Sequence, residues 1–364
     1  MPAPETMVTA KKAARERIRA LDLARGIAVV AMVATHSLSF TGSDDVTSST
    51  PFKLVNMIVS IIAAPVFMFI MGVLQGFSSK SRTGKNIIRG LLILGLGYLL
   101  NFFRGTLPVI VGLWTGSFSS PDLDHGPWYF MLDDDILQFA GLAMIVLAIL
   151  RRLLPWPAAW WGLGAIALFG SPFLWNIEIS NSVFGHAISL FVGGRENAFF
   201  PVFPWIIFPL FGMAYGAVLK NAGDQRGFFL KSAIAGVVLF SLGIGIMGFA
   251  DHVHFHRFLS GMYRHGELPP IILLTFIGFQ GLLLPFCWKI TKQFPRFFML
   301  SLLYYWSENV TVFYCIQWIL IGWLCVFLPP LGWLPVLGFI AAVLFLTDRI
   351  LISFARKNLR TETV

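Results

Sequence analysis

An apolar stretch from Arg19 to Phe40 is interrupted by three ionisable side chains: Asp22 and Arg25 near its start, and His36 near its end. Three apart on a helix, Asp22 and Arg25 share a face and can pair. Leu21 to His36 is fifteen residues, about 22 Å of rise in a hydrocarbon core roughly 30 Å thick. An ionisable group at that depth is costly and marks a candidate functional site. Imidazole has an unperturbed pKa close to neutrality, so His36 suits a general base; the plainer alternative is a histidine satisfied by a neighbouring hydroxyl or carbonyl. Its candidate orienting partners are Asp133, Asp134 and Asp135, of which Asp134 or Asp135 is expected to face inwards, and Glu308, midway along a long apolar segment. The acidic run also reads as a helix cap, and Glu308 as a structural pair with Asn309 or the mark of a break. Arg25, Lys85 and Arg89 could cradle phosphates through charge-assisted contacts, although anionic lipid attracts the same residues. His252, His254 and His256 alternate beside Asp251 and would share a face on a strand. Contact with headgroups or substrate is the favoured reading of that loop, and no metal is assigned.

The elements that must position these residues are membrane spans. Of the 364 residues, 57% are hydrophobic and only 12% charged, against about 25% charged in a soluble domain; the mean hydropathy is +0.76. The expected fold is an all-α polytopic membrane protein. A net charge of +9 would suggest nucleic acid in a soluble chain, but here it follows from topology. Nothing before Leu21 reads as a cleavable signal, and the apolar setting of Cys287, Cys315 and Cys325 implies no disulfide framework. Apolar windows predict ten spans, near 21–40, 55–77, 87–103, 135–150, 157–175, 200–219, 228–249, 269–288, 297–328 and 334–354. Alternated from a cytoplasmic N-terminus, they place all of the 27 basic residues inside except Lys53, Arg104, Arg195, Arg257 and Arg264, as the positive-inside rule requires. Both termini are then cytoplasmic. The organisation expected is a basic segment 1–20, one transmembrane domain 21–356 and a tail 357–364. Long outer loops at 105–134, 176–199 and 250–268 would carry polar recognition, with Trp128 among the aromatics suited to an interfacial belt or to stacking on a sugar.

Several motifs occur in a telling order: Leu21-Asp22-x-x-Arg25-Gly26-x-Ala28 with His36 a turn before its span ends; Pro65 to Gly72; Asp135-Ile136-Leu137-Gln138; and Phe200 to Trp205 followed by Gly212 and Gly216. Together they resemble the bacterial relatives of heparan-alpha-glucosaminide N-acetyltransferase, within the transmembrane acyltransferase superfamily, most clearly from Arg19 to Leu219. The resemblance implies an enzyme of the bacterial inner membrane that moves an acyl group, acetyl above all, from cytosolic acyl-CoA to a hydroxyl or amine of an extracytoplasmic sugar or glycan. His36 then matches the family's first-span histidine. Thr35 stands where relatives often carry an acid, and Gln317 follows Asn309 to Tyr314 where many carry a histidine. On this reading His36, Asp134, Asp135 and Glu308 serve catalysis. Arg25, Lys85 and Arg89 hold acetyl-CoA, and Trp128, Gln138 and Asn309 meet the acceptor. Membrane lipids are further partners, nucleic acid is not, and the oligomeric state is open. The rival is a proton-coupled transporter or flippase using His36 and Glu308 as relays; a non-catalytic scaffold is a third reading. Spacing alone leaves enzyme and transporter level.

Overall fold

The computed structural model describes residues 18–77, 83–117, 126–174, 177, 179, 183–250, 252, 255, 256, 258 and 267–361, with side chains as far as 354. The helices in chain order are α1 (Arg19–Thr41), α2 (Asp44–Thr47), α3 (Thr50–Phe77), α4 (Thr83–Asn101), α5 (Leu107–Thr115), α6 (Ile136–Leu153), α7 (Pro157–Gly170) and α8 (Val183–Val192). They continue as α9 (Val202–Trp205), α10 (Ile207–Lys220), α11 (Gln225–Ala250), α12 (Pro270–Gln293), α13 (Phe298–Glu308), α14 (Val310–Phe327) and α15 (Trp333–Thr361). Among the described residues there is no strand, only isolated bridges between Gly42 and Leu331 and between Asp134 and Ala198. Ten helical segments are long and apolar enough to cross a membrane, and each coincides with a predicted span. Such a protein is helical because hydrocarbon offers its backbone no other partner for N–H and C=O groups.

The segment Val202–Lys220 is 83% buried and forms the centre of the bundle. It lies against α3 with almost no side-chain thickness between them. A Cβ on Gly72 would come within 2.1 Å of the Pro209 carbonyl, and one on Gly212 within 2.0 Å of the Phe69 carbonyl. Small residues that let backbones meet are how helices associate where lipid removes the hydrophobic incentive. At the periphery, α11 is only 17% buried and turns Leu230, Ile234, Val237 and Val238 outward, the composition expected of a lipid-facing surface.

Two segments differ from the hydropathy reading. The third span was expected to end at Phe103, with a loop from Gly105. Instead it runs on to Thr115 through a π-helical turn, Phe102–Thr106, in which the Leu107 amide donates to the Phe102 carbonyl. Pro108 explains the turn: it has no amide hydrogen for the Arg104 carbonyl four residues back, so the ladder widens locally. Gly322 of α14 meets that carbonyl so closely that a Cβ would stand 2.0 Å from it. The long ninth segment is broken rather than continuous. Asn309, at φ −107° and ψ 23°, leaves the helical region between α13 and α14, and its side chain donates to the Tyr305 carbonyl at 3.0 Å.

Candidate active site

Asp135 is the hub of a buried cluster, and its place is fixed locally. It is the N-cap of α6: one carboxylate oxygen accepts from the Ile136 amide at 2.7 Å, and the Gln138 carbonyl accepts from the Asp135 amide at 3.3 Å. This capping box leaves Oδ2 free to face inward. There it meets Arg104 Nη1 at 2.6 Å and accepts from the Tyr314 hydroxyl at 2.8 Å. The π turn presents Arg104, whose Nε donates to Asn101 Oδ1 at 3.2 Å. Asn101 in turn donates to the carbonyls of Asp133 and Met131, at 2.8 and 3.2 Å. Helix, turn and loop are thus one hydrogen-bonded unit. Burial alone would push the Asp135 carboxyl up, but the Arg104 guanidinium, then His36, the Ile136 amide and Tyr314 hold it below the usual carboxylate range.

His36 joins this unit through α14. Its Nδ1 lies 3.3 Å from Gln317 Nε2, and its ring stacks on Trp318 with centroids 4.0 Å apart. The Arg104 guanidinium stands 4.2 Å from the Trp318 ring centroid. Tyr314, Gln317 and Trp318, spaced three and four apart, share the face of α14 that meets α1. For His36 to act as a base at Nε2 the ring proton must sit on Nδ1, which requires Gln317 to present its carbonyl oxygen. That oxygen is buried and bonded to nothing else.

A cavity of about 390 Å³ opens on the other side of Tyr314. Its lining runs from Arg25, Arg89, Gln75 and Asn86, near one end of their helices, past Phe67, Met71, Ile93 and Met144 to Ile136 and Tyr314. Arg25 pairs with Asp22 at 2.7 Å, the expected i, i+3 contact, and its Nε donates to Ser307 at 3.0 Å. The structure therefore brings Arg25 and Arg89 together, whereas Lys85 is exposed and does not line this cavity. Glu308 is exposed beside Ser307, at the Arg25 level of α1. Arg25 and His36 are eleven residues apart, about 16 Å of rise, so Gln317 and not Glu308 occupies the orienting position on His36. Asn309 is spent on the helix break and Gln138 on the cap. Trp128 lies 64% exposed in a 3-10 turn, Pro127–Leu132. His254 and His265 fall outside the described residues, as does His125.

Asp134 belongs to a neighbouring cluster. Ser189 of α8 donates to its Oδ2 at 3.0 Å; His186 Nε2 is 3.6 Å from its Oδ1 and 3.1 Å from the Tyr98 hydroxyl. Burial pushes the Asp134 carboxyl up to about 7, with Ser189 and Arg195 acting downward. Asp133 is likewise raised to about 7 by burial, for Arg104, 3.8 Å away, is committed to Asp135. A folded-state pKa above the unfolded value gives stability that is complete below the ordinary carboxylate range and lost as pH rises through about 7. The wild type should therefore lose thermal stability relative to Asp134→Asn between about pH 4 and pH 7. Melting curves in detergent check this; a pH-independent difference would contradict it.

The family model described as heparan-alpha-glucosaminide N-acetyltransferase, catalytic, matches residues 17–245. The chain belongs to this family. No match was found among curated proteins. The protein is accordingly a multi-pass membrane protein of a transmembrane acetyltransferase family. The matched span carries His36, Arg104 and the three aspartates, whereas Tyr314, Gln317 and Trp318 lie beyond it. Sequence reasoning missed Arg104 and Trp318 as site residues, and met Gln317 only as a departure from the family's pattern. The signals were there: Arg104 was a basic residue on the wrong side for the charge rule, and Gln317 is polar within an apolar run.

Proposed function

We propose that this acetyltransferase takes an acetyl group from cytosolic acetyl-CoA and delivers it across the membrane to a hydroxyl or amine of an extracytoplasmic sugar or glycan. The observation that carries the reading is the cavity between the Arg25–Arg89 pair and Tyr314. Guanidinium groups at one end suit the phosphates of the donor. The apolar middle suits its extended arm, and the Tyr314 end brings the thioester beside the Asp135–Arg104–His36 unit. The charge distribution of the spans supports placing the arginine end in the cytoplasm and the His36 end outside, with both termini cytoplasmic and the protein in a bacterial inner membrane.

The chemistry follows from the placement of His36. Its Nε2 takes the proton of the acceptor hydroxyl or amine as that group attacks the acetyl carbonyl carbon. The carbon–sulfur bond then breaks, and the departing thiolate recovers the proton from the imidazolium. Asp135 is too strongly engaged to move protons; it holds Arg104 and Tyr314 in place and stabilises the charge that forms on His36. Arg104, beyond the Trp318 ring, fixes the far side of the stack. Trp128, exposed on the acceptor side, meets the sugar, whereas Asp134, buried against Ser189 and His186, acts by holding the neighbouring α8 in place. The test is binding of acetyl-CoA to the purified protein, which Arg89→Ala should weaken by about tenfold, the worth of one charge-assisted phosphate contact.

A further inference from the structure

Gln75 and Asn86 form a side-chain amide pair at the cavity mouth, where Asn86 Nδ2 donates to Gln75 Oε1 at 2.9 Å. Both line the cavity, and among the described residues neither side chain has another side-chain partner. The pair therefore leaves the amide N–H donors of Gln75 and the carbonyl acceptor of Asn86 unengaged. Turning both amides over reverses the roles but preserves the pattern of donor beside acceptor. Gln75 is held in place: it is buried, and Arg151 donates to its backbone carbonyl.

The order of groups along the cavity says what this edge would meet. Asn86 is three residues from the start of α4, about 4.5 Å of rise, and Gln75 two residues from the end of α3, about 3 Å. Arg89 and Arg25 are each six residues into their helices, about 9 Å, and Tyr314 lies at the far end of the apolar stretch. From Tyr314 outward the lining is thus apolar, then cationic, then an amide donor–acceptor pair. A donor with its thioester at Tyr314 and its diphosphate at the arginines presents its base at Gln75 and Asn86. We propose that this pair reads the adenine of the donor nucleotide, accepting from the 6-amino group at Asn86 and donating to a ring nitrogen from Gln75, as side-chain amides do on adenine elsewhere. The inference rests on the donor reading above.

The experiment compares binding of acetyl-CoA with that of its analogue carrying unsubstituted purine in place of adenine. Loss of the 6-amino group leaves the Asn86 carbonyl unpaired, so the wild type should bind the purine analogue about tenfold more weakly. Asn86→Ala should lower acetyl-CoA binding to that of the analogue and leave the analogue unchanged. Equal binding of the two donors by the wild type would overturn the inference while leaving the donor site standing. Absence of any acetyl-CoA binding would instead overturn the donor reading, and this inference with it.

Discussion

His36→Ala is expected to lower acetyl transfer to the proposed sugar acceptor by a factor of about 10²–10⁴, the usual share of a positioned acid–base group, with acetyl-CoA binding retained. The separation follows from the geometry. His36 does not line the proposed donor cavity; it is held by Gln317 and by the face of Trp318. Its loss therefore removes a proton acceptor without opening the phosphate end, eleven residues away on the same helix. In kinetic form the change falls on kcat and leaves the donor KM near its wild-type value. A rise in donor KM with kcat intact would mean that His36 contributes binding and not chemistry.

Arg104→Leu should cause the largest loss of stability. The guanidinium is buried and engages Asp135, Asn101 and the Trp318 ring. Its removal leaves the Asp135 carboxylate without its closest positive partner. Breaking one half of a buried pair costs about 3–5 kcal/mol, because the remaining charge is stranded. Arg104→Lys should recover little, since an ammonium cannot reproduce the planar contact on Trp318 together with the fork that reaches both Asn101 and Asp135. The double variant Arg104→Leu, Asp135→Asn should regain part of the loss, because it removes the stranded charge. Thermal melts of the purified protein in detergent check the series; a double variant less stable than Arg104→Leu by the full cost of Asp135→Asn would show that the two groups are not coupled.

Hydropathy alone places all ten spans, because lipid forces each apolar run of sufficient length into a helix. It fails where a single residue rewrites the backbone. Pro108 deprives the Arg104 carbonyl of its donor and winds the π turn, so the helix continues where Gly105 suggested a loop. Asn309 ends α13 inside one unbroken apolar window, and this takes Glu308 away from His36. The Asp135-x-x-Gln138 spacing carried a local meaning, a helix cap, beneath its value as a family motif. His36, Asp135, Arg25 and Arg89 were legible because ionisable side chains in or beside apolar spans are few. Tyr314 and Trp318 were not, since an aromatic in a membrane helix reads first as packing.

On the proposed reading, the cavity ending at Tyr314 holds acetyl-CoA and the chemistry happens beyond it. The most direct measurement is equilibrium binding of acetyl-CoA to the detergent-purified wild type, Arg89→Ala and His36→Ala side by side. Saturable binding that weakens in Arg89→Ala and survives in His36→Ala is the predicted result. Binding indifferent to Arg89→Ala, or none in the wild type at any concentration, would contradict it.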